Sequence, residues 1–171
     1  MTSLSPGTVG DLEFRQVVEE YQGMVYGIAL SRVGSKFDAD DVFQDVFLIY
    51  YSKNKEYRNE EHRRAWLIKT TLNCCKRFLH SSWRKKTTTL NEFTNSPDNT
   101  YQFASQEENE IFTALRELPE KYRIVLHLFY FEEFSAGEIA EALGIASPTV
   151  RMRLKRGRDM MREKLKGEYN L

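Results

Sequence analysis

Between Ser135 and Pro148 the chain carries a closely spaced set of helix start and stop signals that few folds can accommodate. Ser135 followed by Glu138 is a capping box, in which hydroxyl and carboxylate satisfy each other's backbone N–H groups. Ile139, Ala140 and Leu143 then form the buried side of a short helix. Gly144 falls where a left-handed residue ends a helix, and Ile145 fills the turn. Ser147 reads as the next N-cap, and Pro148 sits in the first turn, where a missing N–H costs nothing. Val150 and Leu154 face inward at i, i+4, which leaves Arg151, Met152, Lys155, Arg156 and Arg158 pointing outward. Two short helices, a glycine turn and a basic second helix make a helix-turn-helix. The second helix of such a unit lies in the major groove of DNA. Its cations can neutralise phosphates and reach guanine edges. Ser147, Thr149, Arg151, Met152, Lys155, Arg156 and Arg158 are the candidate contacts. A lone basic helix is usually only a solvated face, but the punctuation on both sides of this one argues for duplex DNA.

The rest of the chain repeats apolar residues at three- and four-residue steps and shows no alternating strand pattern, so the fold class is all-α. Phe14, Val17, Val18, Tyr21, Val25, Ile28 and Ala29 predict one helix, ended by Gly34. Residues 37–51 predict a second, with Asp38 as N-cap and Val42, Phe43, Val46, Phe47, Ile49 and Tyr50 on a wide apolar face. Asp41, Gln44, Asp45 and Leu48 fall at i, i+3, i+4, i+7, a separate and mainly polar stripe. Residues 52–61 have no period and read as a loop. Residues 62–86 predict a third helix buried through Ala65, Ile68, Leu72, Cys75 and Leu79. Residues 1–10 read as a disordered lead-in, and 87–106, rich in Thr, Ser and Asn, as a flexible linker. Two small helical domains, 11–86 and 107–171, are expected on either side of it.

The formal net charge of zero argues against a nucleic-acid binder only until its distribution is read. Residues 62–86 hold 8 basic side chains and no acid, and 147–171 hold 8 basic against 3 acidic, with acidic blocks between them. Cys74 and Cys75 are adjacent, have no CxxC or Cys/His spacing, and predict reduced thiols rather than a zinc site or a disulfide. Residues 1–14 lack the apolar core of a secretory signal, and no apolar run is long enough to span a membrane. A cytoplasmic chain without cofactor or metal is expected. His62, His80 and His127 show no ligand spacing, and His127, inside an apolar run, reads as a packed core residue. No nucleophile–base set or phosphate-cradling glycine loop is present, which excludes the common enzyme classes.

These residues resemble the extracytoplasmic-function sigma factors of the sigma-70 superfamily. Leu118-Pro119 with YRIVLHLFYFEEFS, followed by SPTVRMRLKRGRDMMREKL, is similar to the family's C-terminal domain. DADDVFQDVFL at 38–48 resembles its polymerase-docking helix, and AWLIKTTLN at 65–73 the helix that reads the −10 element. The resemblance implies a protein that binds core RNA polymerase and directs it to promoters. Asp41, Gln44, Asp45 and Leu48 would meet the β′ coiled coil. The loop 52–61 with Arg63, Arg64, Trp66, Lys69, Asn73 and Lys76 would hold the −10 strand, captured by stacking, hydrogen bonding and backbone attraction, with Arg84, Lys85 and Lys86 on further phosphates. The C-terminal domain would bind the −35 element and the β flap, and an anti-sigma factor would hold the protein inactive. Arg77 stands near a position where the family often has Asp, so that acid's contact is not carried over.

Overall fold

Seven α-helices make up the residues described by the computed structural model, 9–85 and 106–169, with no strand among them. The expected lead-in (except Val9 and Gly10) and linker (except Gln106) lie outside these residues. α1 (Val9–Val33), α2 (Lys36–Lys53) and α3 (Glu60–Lys85) form one bundle. α4 (Gln106–Arg116), α5 (Glu120–Tyr130), α6 (Ala136–Leu143) and α7 (Ser147–Tyr169) form a second.

Local chemistry sets the boundaries. Gly34 takes φ 78° and stops α1. Ser35, not Asp38, is the N-cap of α2: its hydroxyl accepts from the Asp38 N–H, and Asp38 lies in the first turn, where an acid suits the helix dipole. α2 ends at Asn54, which adopts the left-handed region at φ 41°. The loop shrinks to 54–59, because Asn59 Oδ1 accepts from His62 N at 2.8 Å and starts α3 at Glu60. Between α5 and α6, Glu133 is left-handed at φ 57°, and Phe134 N donates to Leu128 O at 2.9 Å. The capping box at Ser135 and Glu138 is complete, and Gly144 is left-handed at φ 66°. The first i→i−4 bond of α7 runs from Val150 N to Ala146 O at 3.2 Å, which places Ser147 inside the helix rather than at its cap.

Val17, Tyr21, Val25, Val42, Val46, Phe47 and Leu67 pack the first bundle, and Leu118, Ile124, Val125, Leu128, Ile139, Val150 and Leu154 the second. Full burial of an aliphatic side chain stabilises by about 1.5–3 kcal/mol. On α3 the buried face is Leu67, Ile68, Thr71, Leu72, Cys74 and Cys75. Ala65 is exposed and Leu79 only half-buried, which corrects the expected face. α3 is covered from two directions, so its buried arc is wider than a single stripe and is rotated from the one read off the sequence. Burial pushes the Cys75 thiol up to about 12, so it is an inert core residue.

The two bundles are docked. Ile28 of α1 with Ile68 and Leu72 of α3 enter the second core, and Phe112 of α4 enters the first. Polar links run beside them. His127, fully buried, places Nδ1 2.9 Å from Ser31 Oγ. The buried Arg123 guanidinium donates to Ser31 O, to Arg116 O (3.0 Å) and to Leu118 O (3.4 Å). Arg32 pairs with Glu120. Arg64 Nη2 donates to Glu132 O at 2.6 Å and to Glu132 Oε2 at 3.1 Å.

Candidate nucleic-acid interface

α7 is amphipathic across its width. Val150, Leu154 and Gly157 are buried, Gly157 against Leu126 of α5, while Arg151, Met152, Lys155, Arg156 and Arg158 are exposed and Ser147 and Thr149 are half-exposed. Close approach of the helices needs Gly157: a Cβ there would sit 2.8 Å from Leu126 Cδ1. α5 holds two of the arginines from behind. Arg158 Nη1 lies 3.5 Å from the Tyr130 hydroxyl, and the hydrogen bond between Arg156 and Tyr122 draws that phenol below its ordinary pKa. Lys164 pairs with Glu117 at 2.8 Å, tying the far end of α7 to α4–α5. Arg151, Met152, Lys155, Arg156 and Arg158 are therefore accessible around the side of α7 turned away from the core, which suits phosphate and base-edge contacts in a major groove.

The basic residues of α3 lie in several different settings. Lys69, Asn73 and Lys76 are exposed along one stripe with Ala65. Arg63 pairs with Glu60 and lies 3.4 Å from Glu13 of α1, with its guanidinium 5.4 Å from the Tyr57 ring centre. Arg64 is held by the α5–α6 turn. The side chains of Arg84 and Lys85, and all of Lys86, fall outside the described residues. Arg77 is exposed and contacts Cys74 Sγ at 3.3 Å.

Trp66 is half-buried in an aromatic cluster with Tyr50 and Tyr57, whose rings stack at 5.8 Å and 9°. Phe14, Tyr50, Tyr51, Tyr57, Lys55 and Arg63 line an open hollow of about 660 Å³ between the start of α1 and the 54–59 loop. Burial raises the Tyr57 hydroxyl to about 12, so this ring is neutral at any physiological pH. Sequence reasoning did not single out Tyr57. The available signal was an aromatic residue in an otherwise polar loop flanked by cations.

Asp41, Gln44, Asp45 and Leu48 are all exposed on α2, as the spacing predicts. Phe37 and Tyr51 extend this surface at 76% and 59% exposure, and Leu48 stands at 66%. Three large apolar side chains in water among carboxylates suggest a protein-binding face. Phe37 and Tyr51 went unnoticed in the sequence because each lies at a helix end. Among the described residues no cluster of His, Cys, Asp or Glu could hold a metal ion, and no helix is long and apolar enough to cross a membrane.

Comparison with known proteins places these surfaces in one context. Residues 17–85 match the Sigma-70 region 2 profile, and residues 108–161 match Sigma-70, region 4. The chain is 30% identical over 145 residues to RNA polymerase sigma factor SigZ of Bacillus subtilis, covering 80% of this chain and 77% of that protein. It is 28% identical over 167 residues to the ECF RNA polymerase sigma-E factor of Haemophilus influenzae, covering 89% and 87%. The fold is similar to the sigma factor RpoE of Bartonella quintana, solved in complex with the anti-sigma factor NepR, with TM-score 0.71, 22% identity and coverage of 90% and 97%. The chain belongs to the extracytoplasmic-function sigma factors of the sigma-70 family, which bind core RNA polymerase and direct it to promoters for transcription initiation.

Proposed function

We propose a division of labour among three surfaces. The α2 stripe of Asp41, Gln44, Asp45 and Leu48, widened by Phe37 and Tyr51, docks on the β′ coiled coil of core polymerase. Lys69, Asn73 and Lys76, with Arg63, Arg64 and Trp66 and the 54–59 loop, engage the −10 strand. The hollow beside Tyr57 suits an unstacked base, because base–aromatic stacking contributes about 1–3 kcal/mol per base. Ser147, Thr149, Arg151, Met152, Lys155, Arg156 and Arg158 read the −35 duplex, and the second bundle meets the β flap. Residues 11–86 thus form the polymerase and −10 domain, and 107–171 the −35 domain. The protein works in the cytoplasm by binding alone, without catalysis or cofactor.

The observation that carries this reading is the two-sided character of α7, with Val150 and Leu154 buried in the second core and Arg151, Lys155, Arg156 and Arg158 exposed to solvent. An anti-sigma factor is the proposed regulator, supported by the fold likeness to a sigma factor solved with one. Run-off transcription with purified core polymerase tests the whole. Promoter-dependent transcripts are expected from the chain and core enzyme alone, and a requirement for a small ligand would overturn the reading.

A further inference from the structure

Among the described residues of α7, one large apolar side chain stands in water: Met152, 45% exposed. The core defines its bearing on the helix. Val150 and Leu154 are buried, and Met152 lies two residues from each. At about 3.6 residues per turn it is therefore turned about 160° away from both, opposite the core. Its neighbours on the helix surface, three and four residues off, are Pro148, Thr149, Lys155 and Arg156. Lys155, Arg151 and Arg158 follow round one side of it and Arg156 the other, and all four are exposed. The cations thus flank a methionine that stands at the crest of the helix, within its first two turns. The N-terminal part of a recognition helix contacts base edges. Seated in a major groove, such a helix brings its crest nearest the groove floor and its flanks nearest the phosphates.

We infer that Met152 is a specificity-determining residue that reads the C5-methyl group of a thymine in the −35 duplex. This rests on the proposed role of α7 as the −35 reader. A thioether has no N–H to donate and accepts only weakly. In the major groove guanine, adenine and cytosine present hydrogen-bonding groups. Covering those groups with methionine removes their water and offers no partner in return, which is unfavourable. Thymine alone adds a methyl group to its edge, and an apolar side chain is its complement. Methionine is unbranched and flexible, so its tip can follow the methyl as the helix settles in the groove. The flanking cations supply affinity for the backbone, and Met152 supplies a preference among bases that they cannot.

The test uses the full chain assembled with core RNA polymerase and a library of DNA duplexes of random sequence. Bound duplexes are selected and sequenced, and each thymine of a selected duplex is then replaced in turn by deoxyuridine, which removes only the methyl group. Met152→Gln keeps the length and helix propensity at an exposed position, so folding is retained, but ends in an amide. Met152→Leu keeps an apolar tip. The parent should lose about fourfold in affinity at one thymine, the effect of one buried methyl group. Met152→Leu should keep both the thymine and its methyl sensitivity. Met152→Gln should lose both, with circular dichroism and retention on core polymerase unchanged. The proposal is overturned if no single deoxyuridine weakens the parent, if the methyl sensitivity survives in Met152→Gln, or if Met152→Gln releases core polymerase, which would make Met152 a protein contact. If Arg156→Ala alters the selected sequences and Met152→Gln does not, the role of Met152 fails while α7 stands as the reader. If neither variant alters them, the reading of α7 fails as well.

Discussion

Ser31 Oγ and His127 Nδ1 lie 2.9 Å apart in a region from which water is excluded, although 96 positions separate them in the chain. The bond joins α1 to α5, so it reports on the docking of the two bundles. Ser31→Ala leaves a buried ring nitrogen without a partner, which costs about 1–3 kcal/mol. Urea unfolding should show a lower midpoint. An unchanged midpoint would mean that the bundles are not docked this way in solution.

Gly157 packs where α7 crosses α5. In Gly157→Val the Cβ meets Leu126, which is 3% exposed and has little room to move. Overpacking of this kind costs about 1–3 kcal/mol. The melting temperature should fall and −35 binding should weaken with it, since the reading helix is displaced. A variant as stable as the parent would show that the α5–α7 spacing is looser than described.

Glu138 closes the capping box by accepting from Ser135 N at 2.8 Å. That hydrogen bond holds its carboxyl below the usual carboxylate range. Because the folded value lies below the unfolded one, the stabilisation is complete above the unfolded pKa and is lost as the pH falls through the folded value. Glu138→Gln should therefore be less stable than the parent at neutral pH, and the gap should close in acid. A gap that stays constant across that range would remove the charge from the cap.

Asp41 and Asp45 occupy the exposed face of α2, and neither approaches the core. Asp41→Lys combined with Asp45→Lys should leave the circular dichroism spectrum intact and sharply reduce retention on immobilised core polymerase. Full retention would take this stripe out of the polymerase interface.

Arg156 projects from the accessible face of α7 and is braced by Tyr122. Arg156→Ala should weaken −35 duplex binding by about 1–3 kcal/mol while polymerase binding persists. Equal affinity for promoter DNA, measured by fluorescence anisotropy, would assign the reading to other side chains.

Local signals in the sequence determined the helices and most of the exposed surfaces. Ser135, Glu138 and Gly144 act within one or two turns, so their roles follow from neighbouring residues alone. The spacing of Val150 and Leu154 likewise fixes which side of α7 faces solvent, and Asp41, Gln44, Asp45 and Leu48 share a face by helical period. Ser35 displaced Asp38 as a cap because two competing side chains within a few residues differ only in backbone geometry, which composition does not report. What only the tertiary structure decided was partnership. A periodic stripe states that a residue is buried and leaves open against which helix. Ile28, Ile68 and Leu72 look like core of their own bundle and instead enter the other one. The same limit hid Arg64. Arg64, Lys69 and Lys76 are expected together on the −10 surface, yet the fold sends Lys69 and Lys76 to solvent and Arg64 to Glu132. Sequence distance carries no information about such pairs, because a contact over 68 positions depends on how whole helices cross and not on the chemistry of their neighbours.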